Sequence, residues 1–313
     1  MNYELLREFC ISRNIDMRFN EPMSMHTSLK IGGPADIALF PDEPSLPELI
    51  KTLTKEGIPY IVIGGGTNIL VKDRGIDGAV IFTSKMNNIK SQQSAISIQQ
   101  SDEEFILVQS GCSLQKVINL CVDEGLSGME GLAGIPGSMG GAIAGNAGSF
   151  GCEIKDVIKS VNLLMPDGGI KELSASDMSF QYRSAKIPSG SIILSAVLSL
   201  KKDEPFEIKK RFVEFINEKK SRQPVSKPSA GCVFKNPKDI AAGKLIDDAG
   251  CKGMRVGDIE VSAMHANFFI NTGKGTADDF LKLMDIVGKK VKDKFGIILE
   301  PEIRILGRSG YVQ

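Results

Sequence analysis

Apolar residues recur at steps of three and four in several stretches, and each such stretch predicts a helix with one buried face. Leu46, Leu49, Ile50 and Leu53 form one stripe. Ser45 and Glu48 stand where a capping box would start that helix, and Gly57 with Pro59 would end it. Leu114, Val117, Ile118, Cys121 and Val122 form a second stripe, with Ser113 as its cap and Gly125 at its end. Ile208, Phe212, Phe215 and Ile216 predict a third helix over about 207–220, and Phe280, Met284, Val287, Val291 and Phe295 a fourth, capped by Thr276 and stopped at Gly296. Short β-branched or apolar runs predict strands at 37–40, 60–63, 78–82, 95–99, 105–109, 157–164, 191–200, 267–271 and 302–306. Helices and strands do not alternate regularly enough for a doubly wound parallel sheet, so the expected class is α+β.

Glycine interrupts this pattern in two places. Eight of the twenty-two residues from Gly131 to Cys152 are glycine and none of the twenty-two is charged. Gly64, Gly65 and Gly66, followed by Thr67 and Asn68, close the apolar run 60–63. Glycine lets main chain approach a partner closely, and exposed amides can cradle anionic oxygens. Two such clusters point to a large phosphate-bearing cofactor; tight packing, or a short helix against a neighbour, is the structural alternative.

Composition narrows the options. The 313 residues suffice for two domains. Lys and Arg total 38, as do Asp and Glu, so the net charge is zero, which argues against a nucleic-acid binder. The N-terminal stretch is amphipathic and charged throughout, unlike a signal peptide, and no apolar run reaches the ~20 residues a membrane span needs. The cytoplasm is the expected compartment. Cys10, Cys112, Cys121, Cys152, Cys232 and Cys251 form no C-x-x-C pair, and with only His26 and His265 no metal site is expected. The polar, proline-bearing run 201–205 is the expected boundary, giving domains 1–205 and 206–313. Neither glycine cluster is a Rossmann fingerprint: Ile69 stands where the last glycine should be, and residues 70–75 read as loop and strand rather than helix.

Seven pieces in order carry a resemblance. They are His26 to Asp36, Ile63 to Val71, Gly131 to Gly151, Tyr182-Arg183, Gly231 to Pro237, Ser262 to Asn267, and Leu299 to Arg304. With this order and spacing the chain resembles the UDP-N-acetylenolpyruvoylglucosamine reductases, in their shorter form. The resemblance implies an FAD-binding domain of the vanillyl-alcohol-oxidase type, with two lobes split near residues 80–85, followed by a smaller substrate domain. It implies NADPH as hydride donor, reduction of an enolpyruvyl UDP-sugar, and a place in peptidoglycan precursor synthesis. It assigns Gly64, Gly65, Gly66, Thr67 and Asn68 to the FAD diphosphate, and Gly134, Ile135, Pro136, Gly137, Ser138, Gly141, Gly145 and Asn146 to the same diphosphate and the flavin. No His or Cys lies in 60–77, so the FAD is expected to be non-covalent.

The resemblance also names three catalytic candidates. Arg183 matches an arginine that would hold the substrate carboxylate; a surface arginine is the alternative. Cys232 stands where many members have the serine that donates a proton. A thiol, with its usual pKa of about 8.5, is protonated at neutral pH and can take that role, or it can be a small buried hydrophobe. Glu302 matches a glutamate that would assist charge stabilisation or proton delivery; a strand-end carboxylate paired with Arg304 or a lysine is the alternative. Tyr182, Lys235, Asn236 and Lys244 are the substrate-binding candidates, with Lys252 and Arg255 as further possibilities; His265 lies in a matching piece, with a structural role as the alternative. Two other readings stay open: a flavin oxidase of another small molecule, and a sugar-nucleotide binder that has lost catalysis. Small molecules, rather than nucleic acid, membrane or an obligate protein partner, are the expected partners.

Overall fold

A computed structural model describes residues 3–92, 103–308 and 310–311. The strand expected at 95–99 lies outside the described residues. The chain folds into two units: residues 1–18, 38–65 and 80–218 make the first, and 19–37, 66–79 and 219–313 make the second. The single cut expected at residue 205 is therefore not where the units part. The helix Pro205–Arg222 buries Ile208 and packs Phe212 on the core of the first unit, which carries that unit past the expected boundary. Short N-terminal segments belong to the second unit, so neither unit is one continuous stretch.

The first unit is organised by a six-stranded antiparallel sheet. Its strands run in the order Ile170–Ser174, Ile158–Leu164, Ile192–Lys202, Glu103–Gln109 and Ile89–Gln92, with Leu126–Ser127 paired to the long third strand. Ile106, Val108, Val161, Leu163, Ala196 and Leu198 turn inward from these strands. They meet the stripe of the helix Leu114–Asp123, whose buried residues are the five expected. Alternation along the strand thus feeds the same core as the three-and-four spacing along the helix. The helix Leu46–Lys55 likewise buries the four expected residues. Its start differs from expectation. Ser45 makes no side-chain cap; instead its backbone N–H donates to Asp42 Oδ1 at 3.1 Å. Ser113 also occupies the N-cap position without a capping hydrogen bond.

The second unit holds a four-stranded sheet in the order Ser229–Cys232, Phe268–Asn271, Ile259–Val261 and Arg255–Val256. The helix Ala277–Phe295 covers it with Phe280, Leu283, Met284, Val287 and Val291. Here the cap is realised in full: Thr276 Oγ1 accepts from the Asp279 N–H, and the Asp279 carboxylate accepts from the Thr276 N–H, both at 3.1 Å. Gly296 ends this helix at φ 71°, the left-handed stop that glycine tolerates best. A three-stranded sheet sets Arg304–Gly307 parallel to Ile69–Val71, with Arg304 opposite Ile69. That strand begins after Glu302, so the expected strand 302–306 is shorter at its start. Among the described residues no helix is long and apolar enough to cross a membrane, and no cluster of His, Cys, Asp and Glu could hold a metal ion.

Candidate active site

In the first unit the two glycine clusters meet. A Cβ added at Gly64 would lie 2.0 Å from Ser138 Oγ, and one at Gly65 would lie 2.7 Å from Gly137 Cα. The strand Tyr60–Ile63 delivers the first pair. The second is the turn before the helix Met139–Ala144, where Ser138 Oγ accepts from the Gly141 N–H at 3.3 Å. In the second unit Gly66, at φ 63°, packs against the His26 carbonyl so closely that a Cβ would lie 1.9 Å from it. Main chain stands against Gly65 and Gly66 and the Ser138 side chain against Gly64, which accounts for the run of three glycines without reference to a ligand.

Other features suit a cofactor. Among the described residues no acceptor takes the amide protons of Gly64 or Gly65. A Cβ at Gly141 would meet nothing nearer than 3.5 Å, and one at Gly145 nothing nearer than 3.4 Å, so these positions are bare for some reason other than protein packing. Ser110 Oγ, beside Gly140, is buried with no hydrogen-bond partner among the described residues. Vacant donors, an orphaned hydroxyl and uncrowded glycines fit a dinucleotide such as FAD, whose diphosphate seeks amide donors and whose ring needs a close, uncharged wall. Gly134 and Ile135 are engaged differently: their amides donate to Gln115 Oε1 at 3.0 Å and to the Leu132 carbonyl at 3.1 Å. The Asn146 side chain is fully buried and turned toward protein partners, and its N–H donates to the Ile143 carbonyl at 3.1 Å, so only its main-chain carbonyl is left for a cofactor.

Arg183 belongs to the first unit and sits at the tip of a tight turn. Gln181 and Ser184 exchange two backbone hydrogen bonds, of 2.9 and 3.2 Å, leaving Tyr182 and Arg183 as the two tip residues. Arg183 is at φ 58° and its Nη1 donates to the Gly148 carbonyl at 3.2 Å. Tyr182 is half exposed.

Cys232 and Glu302 belong to the second unit. Cys232 ends the strand Ser229–Cys232, opposite Phe268; the register slips just before it, at Gly231 with φ 75°. This bulge re-aims the residue after it. From there the chain runs antiparallel to the Glu302 segment. The Glu302 N–H donates to the Val233 carbonyl, and the Lys235 N–H to the Glu300 carbonyl, each at 2.8 Å. Asn267, 1 % exposed, clamps the same segment: Oδ1 accepts from the Phe234 N–H at 3.0 Å and Nδ2 donates to the Phe234 carbonyl at 2.8 Å. Asn68 Nδ2 reaches the Glu302 carbonyl at 3.3 Å. Asn68, Asn267 and the Cys232 strand together fix the Glu302 backbone, a convergence that no spacing in the chain announces.

The cations expected to meet a UDP diphosphate are all paired on the protein. Lys235 lies 3.5 Å from Glu300, Lys244 2.9 Å from Asp248, Lys252 2.6 Å from Asp247 and Arg255 3.5 Å from Glu260. Exposed pairs of this kind are worth little and can re-form around an anion. Asn236 Oδ1 accepts from the Ala242 N–H at 3.0 Å and so supports the helix Ala242–Asp248. His265 packs edge-on against Phe268 and accepts from the Asn267 N–H at 3.3 Å. Burial, with Lys252 adding to it, pushes its pKa down and favours the neutral ring; this geometry favours the structural alternative.

Comparison with known proteins decides the family. Residues 34–174 match the FAD binding domain, and residues 223–306 match the C-terminal domain of UDP-N-acetylenolpyruvoylglucosamine reductase. Curated proteins of that name are 42% identical over 93% of the chain and 93% of the relative in Caldanaerobacter subterraneus, and 40% identical over 96% and 97% in Streptococcus pneumoniae. The chain belongs to the UDP-N-acetylenolpyruvoylglucosamine reductase family. A crystal structure of the reductase from Thermus caldophilus superposes with a TM-score of 0.77 at 32% identity, covering 93% of this chain and 98% of that one. Berberine bridge enzyme, 16% identical with a TM-score of 0.50 over 65% of this chain and 44% of its own, shares the fold alone. The fold is an α+β FAD-binding domain joined to a smaller α+β domain, as the resemblance implied.

Proposed function

We propose that this chain reduces the enolpyruvyl group of UDP-N-acetylglucosamine enolpyruvate to give UDP-N-acetylmuramate, with NADPH as electron donor and non-covalent FAD, as a step in peptidoglycan precursor synthesis. The observation that carries this reading is family membership over nearly the whole chain, joined to a glycine turn in which, among the described residues, the Gly64 and Gly65 amides have no protein acceptor. Bound FAD supplies the hydride relay between NADPH and the substrate.

The protein's own residues do the rest. A hydride arriving at the outer vinyl carbon leaves negative charge on the carbon next to the carboxylate. The Arg183 guanidinium grips that carboxylate through paired hydrogen bonds and offsets the growing charge. The Cys232 thiol gives the proton that completes the reduction, in place of the serine hydroxyl of many relatives. Glu302 assists the same charge or the delivery of the proton. Tyr182, Lys235, Asn236 and Lys244 bind the sugar nucleotide; the Asn236 oxygen is engaged, so its amide nitrogen is the group left to donate. The Gly64–Asn68 turn takes the diphosphate, and the segment from Gly134 to Asn146 takes the diphosphate and the ring through main chain. The cytoplasm, where NADPH and sugar nucleotides are found, is the compartment that goes with this reading.

Half-reaction kinetics test it. Arg183→Ala is expected to slow flavin reoxidation by substrate by about a hundredfold or more while leaving reduction by NADPH within severalfold. Cys232→Ser keeps turnover and Cys232→Ala loses most of it. Equal loss in both half-reactions for Arg183→Ala, or full turnover in Cys232→Ala, removes the corresponding role.

A further inference from the structure

Asn146 lies in the glycine segment and carries three features that cofactor binding does not require. Its side chain is fully buried. Its backbone is held at φ 39°, a region asparagine tolerates better than most residues. And both ends of its amide reach other segments: Nδ2 donates to the Gln181 carbonyl at 3.0 Å and Oδ1 accepts from the Lys155 N–H at 3.4 Å. The Gln181 carbonyl is the one that closes the tight turn by accepting from the Ser184 N–H at 3.2 Å. A carbonyl oxygen has two lone pairs, and here both are used, one within the turn and one by Asn146.

The tip of that turn is Tyr182-Arg183. Arg183 at φ 58° is in a conformation that an arginine does not hold unless its surroundings enforce it. Two residues beyond Asn146, the Gly148 carbonyl accepts from Arg183 Nη1. The glycine segment therefore grips the turn at its base through Asn146 and at its tip through Gly148. Glu153 completes the cluster. Its carboxyl is held below the usual range, first by the Lys155 hydrogen bond and, against burial, also by Asn146 and the nearby Arg183 charge.

We propose that Asn146 is a positioning residue for Arg183, which ties the guanidinium that receives the substrate carboxylate to the segment that lines the cofactor. This rests on the reading of Arg183 given above. Asn146 touches neither reactant through its side chain; it acts by fixing the turn. A displacement of about 1 Å at such a group is enough to cost about a hundredfold in rate.

Asn146→Asp is the direct variant. It keeps the shape and the acceptor for Lys155, but removes the donor to Gln181 and sets a carboxylate beside Glu153. Asn146→Gly, which tolerates positive φ, is the second variant and removes the amide altogether. In both, amide hydrogen exchange at Ser184 is expected to speed up by about tenfold or more, as an opened turn requires. Reoxidation of the reduced enzyme by substrate is expected to slow by about ten- to a hundredfold, with reduction by NADPH within about threefold of wild type. Arg183→Ala joined to Asn146→Asp should be no slower than Arg183→Ala alone, because two changes acting through one group do not add. Wild-type exchange at Ser184 in both variants overturns the proposal, even if flavin is lost, since Asn146 then serves the cofactor segment alone. Multiplicative losses in the double variant overturn it as well. If Arg183→Ala leaves reoxidation at the wild-type rate, the role given to Arg183 falls, while the exchange result still decides whether Asn146 holds the turn.

Discussion

At Gly64 and Gly65 an added methyl group would lie 2.0 Å from Ser138 Oγ and 2.7 Å from Gly137 Cα, whereas at Gly141 and Gly145 it would meet nothing nearer than 3.5 and 3.4 Å. The first pair is bare because the Ser138 side chain stands against Gly64 and the Gly137 main chain against Gly65. The second pair is bare although the protein leaves room for a side chain. One residue type thus serves two ends: at Gly64 and Gly65 it lets two segments of the first unit close on each other, and at Gly141 and Gly145 it keeps a surface low. The second cluster is held by side chains at its borders instead. Glu130, just ahead of Gly131, accepts from Arg211 Nη2 at 2.7 Å and from the Gly128 N–H at 2.7 Å, and Arg211 Nη2 also reaches Asp203 at 2.6 Å. Asn146 holds the far part.

Breaking the first cluster should have the largest effect. In Gly65→Ala the methyl group meets main chain that cannot turn aside, at a cost of about 3 kcal/mol or more. The expected outcome is a melting temperature lower by roughly 10 °C, with flavin lost in parallel. Differential scanning fluorimetry with and without added FAD measures both.

Next in size is Glu130→Gln. Burial raises the Glu130 pKa, but hydrogen bonds from Gly128, Arg211 and Ser127 outweigh it, so the folded value lies below the ordinary one of 4.5. A carboxyl depressed in the folded state stabilises above its unfolded pKa, and that contribution is lost as pH falls through the folded value. Stability of the wild type should therefore drop more steeply than that of Glu130→Gln below about pH 4.5. At neutral pH the variant loses about 1–3 kcal/mol, the cost of breaking a buried pair reduced because Arg211 is about a third exposed. Urea melts across pH 3 to 7 check both signs; equal slopes for the two proteins would remove Glu130 from this role.

Gly141→Ala should have the smallest and most telling effect. Within the helix Met139–Ala144 alanine gains about 0.5–1 kcal/mol over glycine. The flavin-free protein is expected to be as stable as wild type or slightly more so, yet to bind FAD about tenfold more weakly, a loss of about 1.4 kcal/mol. Titration of the flavin-free protein gives the affinity. Unchanged binding would mean that the Gly141 surface does not face the cofactor and would erase the contrast between the clusters.

Much of the frame was legible because burial follows periodicity. The helices Leu46–Lys55, Leu114–Asp123 and Ala277–Phe295 bury the stripes their spacing predicts, and the long strand Ile192–Lys202 is one apolar run. Caps were read less well: serine precedes two of these helices without bonding to them, since a cap needs a backbone geometry that residue type alone does not impose. The strands Asp16–Pro22 and Ile170–Ser174 escaped detection because their exposed, polar positions obscure a period of two. The division into units was hidden for a different reason. It depends on long-range packing of segments such as 66–79, which local composition does not record. Of the site, the glycine clusters announced themselves in the chain, whereas Tyr182 and Arg183 came only through the resemblance. Asn267, Ser110 and the Glu130–Arg211 pair did not announce themselves, because each is placed by contacts distant in sequence, Ser110 by its backbone bonds to Leu194 and Gly140.

The central claim, that the glycine-lined main chain holds a flavin serving enolpyruvyl reduction, is tested most directly by one anaerobic experiment. Protein purified with FAD is reduced with NADPH and then mixed with UDP-N-acetylglucosamine enolpyruvate while the flavin absorption is followed. Return of the oxidised spectrum in step with formation of UDP-N-acetylmuramate is the expected result. A protein that takes up no FAD, or a flavin that stays reduced after the sugar nucleotide is added, would contradict it.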